Sequence, residues 1–385
     1  MKIQLDKDVL AEAVAWVARS LPARPSFPVL AGLMIRADAD LVTLSTFDYE
    51  TSAQVTVQAQ VDQAGVVLVS GKLLADITRS LPNRPVLIDT QDNEVKLVCG
   101  SARFMLQTMP VHEYPELPAM PATSGWIDPE ALAKSVAQVF VAAGRDELLP
   151  VFTGIRLEFD GDNLALMATD RYRIAVKEMT WHPAESLAGR AVLVPGKVLS
   201  EMAKSMVNAE RITVALASAD SGDNLIGFAA ETDTGSRQIT TRLLDGEFPK
   251  LRQLMNVPND TTVRINTTEL IAAVRRVALV AERNTSLRMR IESDAIVLDA
   301  ARGDQATADD RVEALVNVAA GAAEVTDAGF NPHYLLDVLS VIDAPFVHFA
   351  FVGPVKPCLI TGLATIDGDP AEDYRHVIML MRLAS

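Results

Sequence analysis

Apolar residues recur at helical spacing in three places along the chain. In "DKDVLAEAVAWVARSLP", Leu10, Val14, Val17 and Leu21 fall at i, i+4, i+7 and i+11. Leu132, Val136, Val139 and Ala143 repeat this in "DPEALAKSVAQVFVAAG", and Leu270, Val274, Val277 and Ala281 repeat it in "NTTELIAAVRRVALVAE". That spacing lines one helical face, so each segment predicts an amphipathic helix. Asp6 or Asp8, Asp128 and Asn266 stand where an N-cap is needed. A second triplet lies downstream: "LVSGKLLADITRSLP", "LVPGKVLSEMAKSMV" and "GFNPHYLLDVLSVI". Each runs from an apolar strand end through a turn residue into a short helix.

Between the paired helices the pattern changes to period two. "VTLSTFDYETSAQVTVQAQV" and "LALMATDRYRIAVKEM" alternate as half-buried strands, and "FDGDN" between two such runs predicts a hairpin turn. The chain thus reads as three copies of one α+β unit, each with two helices and about eight strands. Expected boundaries are 1–121, 127–256 and 262–385, with "PAMPATSGW" and "MNVPNDTT" as turn-rich linkers.

Composition narrows this reading. The 385 residues exceed one ordinary core, and 49% hydrophobic with 22% charged residues describes a folded chain. No apolar run reaches the roughly 18 residues needed to span a membrane, and "MKIQLDKDVL" lacks a signal-peptide core, so a cytoplasmic protein is expected. Cys99 and Cys358 have no metal or redox spacing and read as buried thiols. The net charge of −15 argues against gripping nucleic acid by bulk charge but leaves room for a local basic surface.

Catalytic motifs fail on inspection. "VSGK" lacks the glycine and the Ser or Thr of a phosphate-binding loop, because Val66 and Leu73 stand there. His112, His182, His333, His348 and His376 show no metal spacing, and no GxSxG elbow occurs. No cofactor and no metal are expected. "ATDRYRIAV" clusters polar, basic and aromatic side chains between apolar strands.

The repeat and this cluster carry a resemblance. "LPARPSFPVLAGLMI", "MATDRYRIAV", "VPGKVLSEM", "GEFPKLRQLM", "GFNPHYLLDVL" and "VIMLMRL", in this order, resemble the β subunit of bacterial DNA polymerase III, the sliding clamp. The resemblance spans essentially the whole chain, and the style of its N-terminal region looks actinobacterial. It implies the DNA-clamp fold: a head-to-tail homodimeric ring in which helices line the hole and sheets form the wall. Twelve helices about 9 Å apart give a circle about 35 Å across. Subtracting one helix diameter leaves about 25 Å clear, enough for duplex DNA. One subunit alone would give no usable bore.

The resemblance also explains the charge. The acidic surface belongs outside, and candidate inward cations are Arg24, Lys72, Arg79, Lys134, Lys197, Lys204, Arg275 and Arg276. They would touch phosphates loosely, without base readout.

The apolar stretch "HVIMLMRLAS" gains a meaning from the same family, whose C-terminal strand builds a hydrophobic pocket for short partner peptides. By motif match the pocket residues are Phe152, Thr169, Arg171, Tyr172, Arg173, Ile174, Pro249, Leu254, Asn331, Tyr334, Val355 and Pro357, with Val377, Ile378, Met379, Leu380, Met381, Arg382 and Leu383. Methionines suit a surface that adapts to varied ligands. Leu380 departs from the family's usual proline, Ala384 and Ser385 extend past the usual terminus, and Gln253 stands where an arginine is familiar. These departures bear on ligand preference.

Phe104 and Leu106 of one subunit are expected to meet Leu279 and Val280 of the other. Implied partners are double-stranded DNA, a second copy of the chain, the replicative polymerase α subunit, the clamp loader, repair polymerases, ligase and mismatch-repair proteins. The implied function is a non-catalytic processivity factor. Alternatives are a specialised second clamp tolerant of peptide antibiotics, a non-encircling adaptor, and an enzyme on a repeated fold.

Overall fold

The structure is a computed structural model. It describes residues 1–385 except 185, 186, 188, 219–223, 257, 259, 282–284, 323, 354, 384 and 385, so the Ala384–Ser385 extension lies outside the described residues. The class is α+β: seven helices and 27 strands are found among the described residues, nine strands in each third of the chain.

All the helices but the single turn Pro150–Thr153 form where the sequence places them. They are α1 (Lys7–Ala18), α2 (Gly71–Ser80), α3 (Pro129–Phe140), the single turn α4 (Pro150–Thr153), α5 (Gly196–Ser205), α6 (Thr267–Ala278) and α7 (Pro332–Val341). Asp6, not Asp8, caps α1, accepting from the N–H groups of Asp8 and Val9. Asp128 accepts from Ala131 and Asn266 from Glu269 in the equivalent places. Leu10, Val14, Val17, Leu132, Val136, Val139, Leu270, Val274 and Val277 are all buried, as one apolar face requires.

The chain divides into two compact units. The first comprises Met1–Ala133, Trp181–Leu187 and Val198–Leu243; the second comprises Lys134–Thr180, Ala188–Lys197 and Leu244–Ser385. In the first unit, 14 strands form one sheet. Strand Gly235–Arg242 pairs antiparallel with Thr51–Gln58, so the sheet continues across the border between the first two repeats. Buried hydroxyl pairs fasten that seam: Thr51 with Thr241 at 3.0 Å and Ser52 with Thr240 at 2.6 Å. Helix α1 packs on α2 and on strands Leu41–Phe47 and Thr51–Gln58.

The second unit holds a nine-stranded and a four-stranded sheet. Its seam has the same design: Arg173–Thr180 pairs antiparallel with Tyr374–Ile378, from Arg173↔Ile378 to Lys177↔Tyr374. An ion pair between Lys177 and Asp373 closes one end. Helix α6 packs on α7 and on strands Ala295–Arg302 and Ala306–Glu313 of the smaller sheet.

Two boundaries differ from the sequence reading. Residues 123–127 are not linker: Thr123–Ile127 is a strand paired with Ile212–Leu216, because Ser124 and Ile127 are buried and Trp126 stacks on His182 at 3.8 Å. The last repeat's first strand begins at Thr261, and part of the preceding linker, residues 257 and 259, lies outside the described residues. The hairpin expected at "FDGDN" closes between Asp160 and Asn163, with Gly161 at φ +60°.

Candidate peptide-binding cleft

The polar cluster of "ATDRYRIAV" folds into a tight connection between strands Asn163–Thr169 and Arg173–Thr180. Asp170 Oδ1 accepts from the N–H groups of Tyr172 (3.0 Å) and Arg173 (3.1 Å). The buried Thr169 hydroxyl accepts from Arg171 N–H at 3.1 Å and donates to the Arg173 carbonyl at 2.7 Å. These bonds hold Arg171 at φ +80°, left-handed backbone that non-glycine residues seldom adopt. Its guanidinium lies 5.7 Å from the ring centres of both Phe152 and Tyr172.

Arg173 is the anchor below. It is only 4% exposed. Its Nε donates to Asp170 at 2.9 Å, its Nη1 donates to Asp337 at 2.6 Å, and its guanidinium covers the Tyr334 ring at 4.2 Å. A buried guanidinium is tolerable only with such partners, and the planar fork reaches two carboxylates and a ring face together. Burial, together with the negative charge of Asp170, raises the Tyr334 phenol above its ordinary value. Asn331 is spent on capping α7, where it accepts from His333 and Tyr334 N–H, so it orients Tyr334 by fixing the helix start.

These groups surround a cavity of about 500 Å³. Phe152, Arg171, Tyr172, Arg173 and Tyr334 line it, as sequence matching proposed, and Tyr172 is 54% exposed. Sequence reasoning missed the rim at Ala143–Asp146 and Leu149, and missed Asp170, His333 and Asp337. One signal for Asp337 was present: Asn331, Tyr334 and Asp337 succeed one another at i+3 along one helical face.

An apolar cluster is built on the strands beside it. Met167, Ile174, Val176, Leu193, Phe248, Leu251, Met255 and Val377 are buried together, with Met379 and Leu359 packed against them. Ile174, Val377 and Ile378 are therefore interior residues rather than cleft lining. A second cavity, about 210 Å³, opens beside this cluster and includes Pro249 and Gln253. Glu158 also lines it and receives hydrogen bonds from Arg156 and Arg252 at 2.8 Å each. Burial works to raise the Glu158 carboxyl, but those two guanidinium bonds prevail and hold it below its ordinary value. Leu254 and Val355 are exposed and Pro357 is half-buried; none of the three lines either cavity.

The C-terminal segment ties the parts together. Met379 N–H donates to the Tyr172 carbonyl and Met381 N–H to the Gly329 carbonyl, both at 2.8 Å. Gly329 belongs to the four-stranded sheet and Tyr172 to the connection above the nine-stranded one, so residues 379–381 bridge the two sheets of the second unit. Leu380, Met381 and Leu383 are half-buried, and Arg382 is exposed.

The eight candidate cations are all exposed. Lys134 pairs with Asp343 at 2.6 Å, Arg276 with Asp310 at 2.6 Å and Arg79 with Asp76 at 3.6 Å. The pairing with Lys134 holds the Asp343 carboxyl below its ordinary value.

Of the four expected interface residues, Leu279 is 82% exposed, while Phe104 and Val280 are half-buried. Leu106 requires a correction: at 2% exposure it packs inside its own sheet, and the neighbouring Met105, 54% exposed, faces out. Strand alternation put Leu106 on the inner face. Residues 102–107 pair only with Glu94–Cys99, and Ala306–Glu313 pairs only with Ala295–Arg302, so each leaves a free strand edge among the described residues.

Among the described residues no group of His, Cys, Asp and Glu side chains could hold a metal ion, and both cysteines are buried free thiols. No helix among them is long and apolar enough to cross a membrane.

Comparison with known proteins adds a consistent set of likenesses. Family models of the DNA polymerase III β subunit match in order: the N-terminal domain over residues 1–118, the central domain over 126–250 and the C-terminal domain over 252–382. The chain is 46% identical over 384 residues to the β sliding clamp of Streptomyces coelicolor, covering 100% of both. It is 38% identical over 382 residues to the β sliding clamp homolog GriR of Streptomyces muensis, covering 99% of both. The DNA polymerase sliding clamp structure from Bacillus subtilis superposes with a TM-score of 0.88 at 23% identity, covering 100% of both chains. The Pseudomonas aeruginosa sliding clamp bound to griselimycin superposes with a TM-score of 0.87 at 23% identity, again covering 100% of both.

Proposed function

We infer the function from one premise: this chain belongs to the DNA polymerase III β-subunit family, the sliding clamps. It has the three-domain clamp fold, and it serves as a processivity factor that tethers DNA-processing proteins to the duplex. Domain boundaries at 1–121, 127–256 and 262–385 fit the repeated helix pairs, with strand Thr123–Ile127 added to the central domain.

The clamp holds DNA by topology. Two copies close a ring, so no tight contact is needed and sliding stays free. The eight exposed cations supply loose phosphate contacts inside an otherwise acidic molecule of net charge −15. Free strand edges at 102–107 and 306–313, with the exposed Leu279 and Met105, offer the surfaces for head-to-tail pairing of two copies.

Partners dock on the second unit by short peptides. The observation that carries this part is the cavity built by Phe152, Arg171, Tyr172 and Tyr334 over the buried Arg173, beside an apolar cluster that includes Val377. A charged but internally neutralised base, aromatic walls and adaptable methionines suit a receptor for several related peptides. The replicative polymerase α subunit, the clamp loader, repair polymerases, ligase and mismatch-repair proteins are the proposed partners. The chain carries no catalytic step of its own and works in the cytoplasm at the nucleoid.

The test is fluorescence anisotropy with a labelled peptide carrying Gln, Leu and Phe anchors, titrated with the intact protein and with a form lacking residues 379–385. Micromolar binding that truncation abolishes supports docking at this cleft. Absence of binding by the intact dimer would refute it.

A further inference from the structure

Four neighbouring strands of the nine-stranded sheet follow in the order Tyr374–Ile378, Cys358–Leu363, Phe346–Phe351 and Thr261–Asn266. Their register places one polar side chain from each in a single row. His348 faces Arg264 on one side and Thr361 on the other. Ile360 faces His376, so one step along the same ladder Thr361 comes opposite Arg375. Cross-strand partners share a face, so Arg375, Thr361, His348 and Arg264 stand side by side. His348 is 3% exposed and Thr361 2%. Each of the four has a buried polar atom with no hydrogen-bond partner among the described residues: Arg375 Nε, Thr361 Oγ1, His348 Nδ1 and Arg264 Nε. Buried polar atoms are nearly always paired, and four unpaired ones in one row call for a common partner.

The chemistry of the row selects that partner. Both Nε atoms can only donate, and the Thr361 hydroxyl and a His348 ring nitrogen can each donate. Arg264 spends Nη1 on the carbonyls of Ile366 (2.8 Å) and Gly368 (3.1 Å), which balance no charge. Arg375 reaches Glu178 at 3.4 Å, a carboxylate that Arg252 shares. Burial, aided by the Arg264 charge, holds the His348 ring down to about 4, so near neutral pH the charges of the row are its two guanidinium groups. We propose that this row is an internal binding site for one small monovalent inorganic anion of chloride size, seated between Thr361 and His348 with a guanidinium at each end. At about 4.8 Å between strands, that seat lies about 7 Å from the strand axes of both arginines, within the span of an arginine side chain. A metal cation finds no lone pair on either Nε. A water accepts the same hydrogen bonds but leaves the Arg264 charge unbalanced, and an unbalanced charge in a protein interior is costly. An anion satisfies the donors and the charge together.

The test compares the full-length wild-type protein with Thr361→Val, which removes the hydroxyl and keeps the volume. Thermal unfolding is followed in sodium chloride and in sodium gluconate at equal ionic strength, gluconate being too large for the row. The wild-type midpoint is expected to rise by about 2–5 °C in chloride and to follow a saturating curve, as binding to the folded state requires. Thr361→Val should need about tenfold more chloride for the same rise, the scale of one hydrogen bond to a charged group. Wild-type crystals grown in bromide should show an anomalous scattering peak between Thr361 and His348. Equal wild-type midpoints in the two salts would overturn the proposal, as would a chloride rise identical in both proteins. A row filled by ordered water with no bromide signal would overturn it too. Should Thr361→Val fail to fold, bromide diffraction on the wild type decides alone. Peptide docking stands or falls separately, since none of these measurements involves a peptide.

Discussion

Met381 and Gly329 are in main-chain contact: the N–H of one donates to the carbonyl of the other at 2.8 Å, and a Cβ placed on Gly329 would lie 2.6 Å from the Met381 oxygen and 3.1 Å from Leu383 Cδ2. The C-terminal segment can lie against the four-stranded sheet only because residue 329 has no side chain. The close approach, not an unusual φ, is what demands glycine there.

Gly329→Ala is therefore expected to push the C-terminal segment off the sheet. Overpacking of this kind costs about 1–3 kcal/mol. Peptide affinity should fall about tenfold while the dimeric state is unchanged. Anisotropy and analytical ultracentrifugation on the same preparation check both. Unchanged peptide affinity would mean that residues 379–383 do not shape the cleft.

Arg173 offers a second prediction. Removing a 4% exposed guanidinium leaves Asp170 and Asp337 without their partner and uncovers the Tyr334 ring. Arg173→Ala should destabilise the second unit by about 2–4 kcal/mol, below the cost of a fully enclosed pair because Asp337 keeps some solvent. Lysine has no fork to span both carboxylates, so Arg173→Lys should recover less than half of that loss. Denaturant melts of the three proteins decide it.

Much of this was legible in the residues. The helical faces of Leu10, Leu132 and Leu270 follow from spacing alone, and their capping residues stand where expected. The cleft was less legible, for physical reasons. Ile174 and Val377 share the pocket's motifs but are buried beneath it, because a β strand gives alternate residues to opposite faces and a motif does not record which. Leu106 was misassigned for the same reason. Asp337 was missed because a buried arginine's partner need not be near it in sequence, here 164 residues away.

The cations separate into two classes. Lys134 and Arg276 already face carboxylates, whereas Arg24, Lys72, Lys197 and Arg275 are exposed with no ion pair among the described residues. Changing these four to Ala together should shorten the residence of loaded clamp on nicked circular DNA several-fold and flatten its salt dependence. Lys134→Ala with Arg276→Ala should do less, because both cations are already engaged by carboxylates and offer less to a phosphate. Residence times measured at several salt concentrations test this, and an unaffected quadruple variant would remove these residues from the DNA surface.

Leu279, at 82% exposed, is the most prominent apolar side chain near the expected subunit contact. Leu279→Glu should leave the fold intact and shift the protein toward monomer by at least tenfold in dissociation constant, since a charge buried in an apolar contact finds no partner. Sedimentation velocity at micromolar concentration checks it. A variant that remains fully dimeric would move the interface elsewhere.

Two histidines make the second unit sensitive to acid. Burial, aided by the charge of Arg264, holds His348 down to about 4, and burial, aided by Arg173, holds His376 down to about 3. His376 Nδ1 shares a 3.0 Å hydrogen bond with the Tyr374 hydroxyl, and its other ring nitrogen is buried without a partner among the described residues. In the unfolded chain both rings titrate near about 6.5, so the unfolded state binds protons first as pH falls. The stability of neutral burial is thus fully present above about pH 6.5 and is lost progressively toward the folded values. By pH 5 each ring should cost about 1–2 kcal/mol, with His348 at the lower end because it keeps some solvent. Thermal unfolding should fall steeply between pH 7 and 5 in the wild type and less steeply in a His348→Gln, His376→Gln double variant. Because His376 lies on the strand that leads into Met379 and Leu380, peptide binding should weaken over the same range, and a binding curve flat from pH 7 to 5 would show that this strand keeps its place when the histidines are challenged.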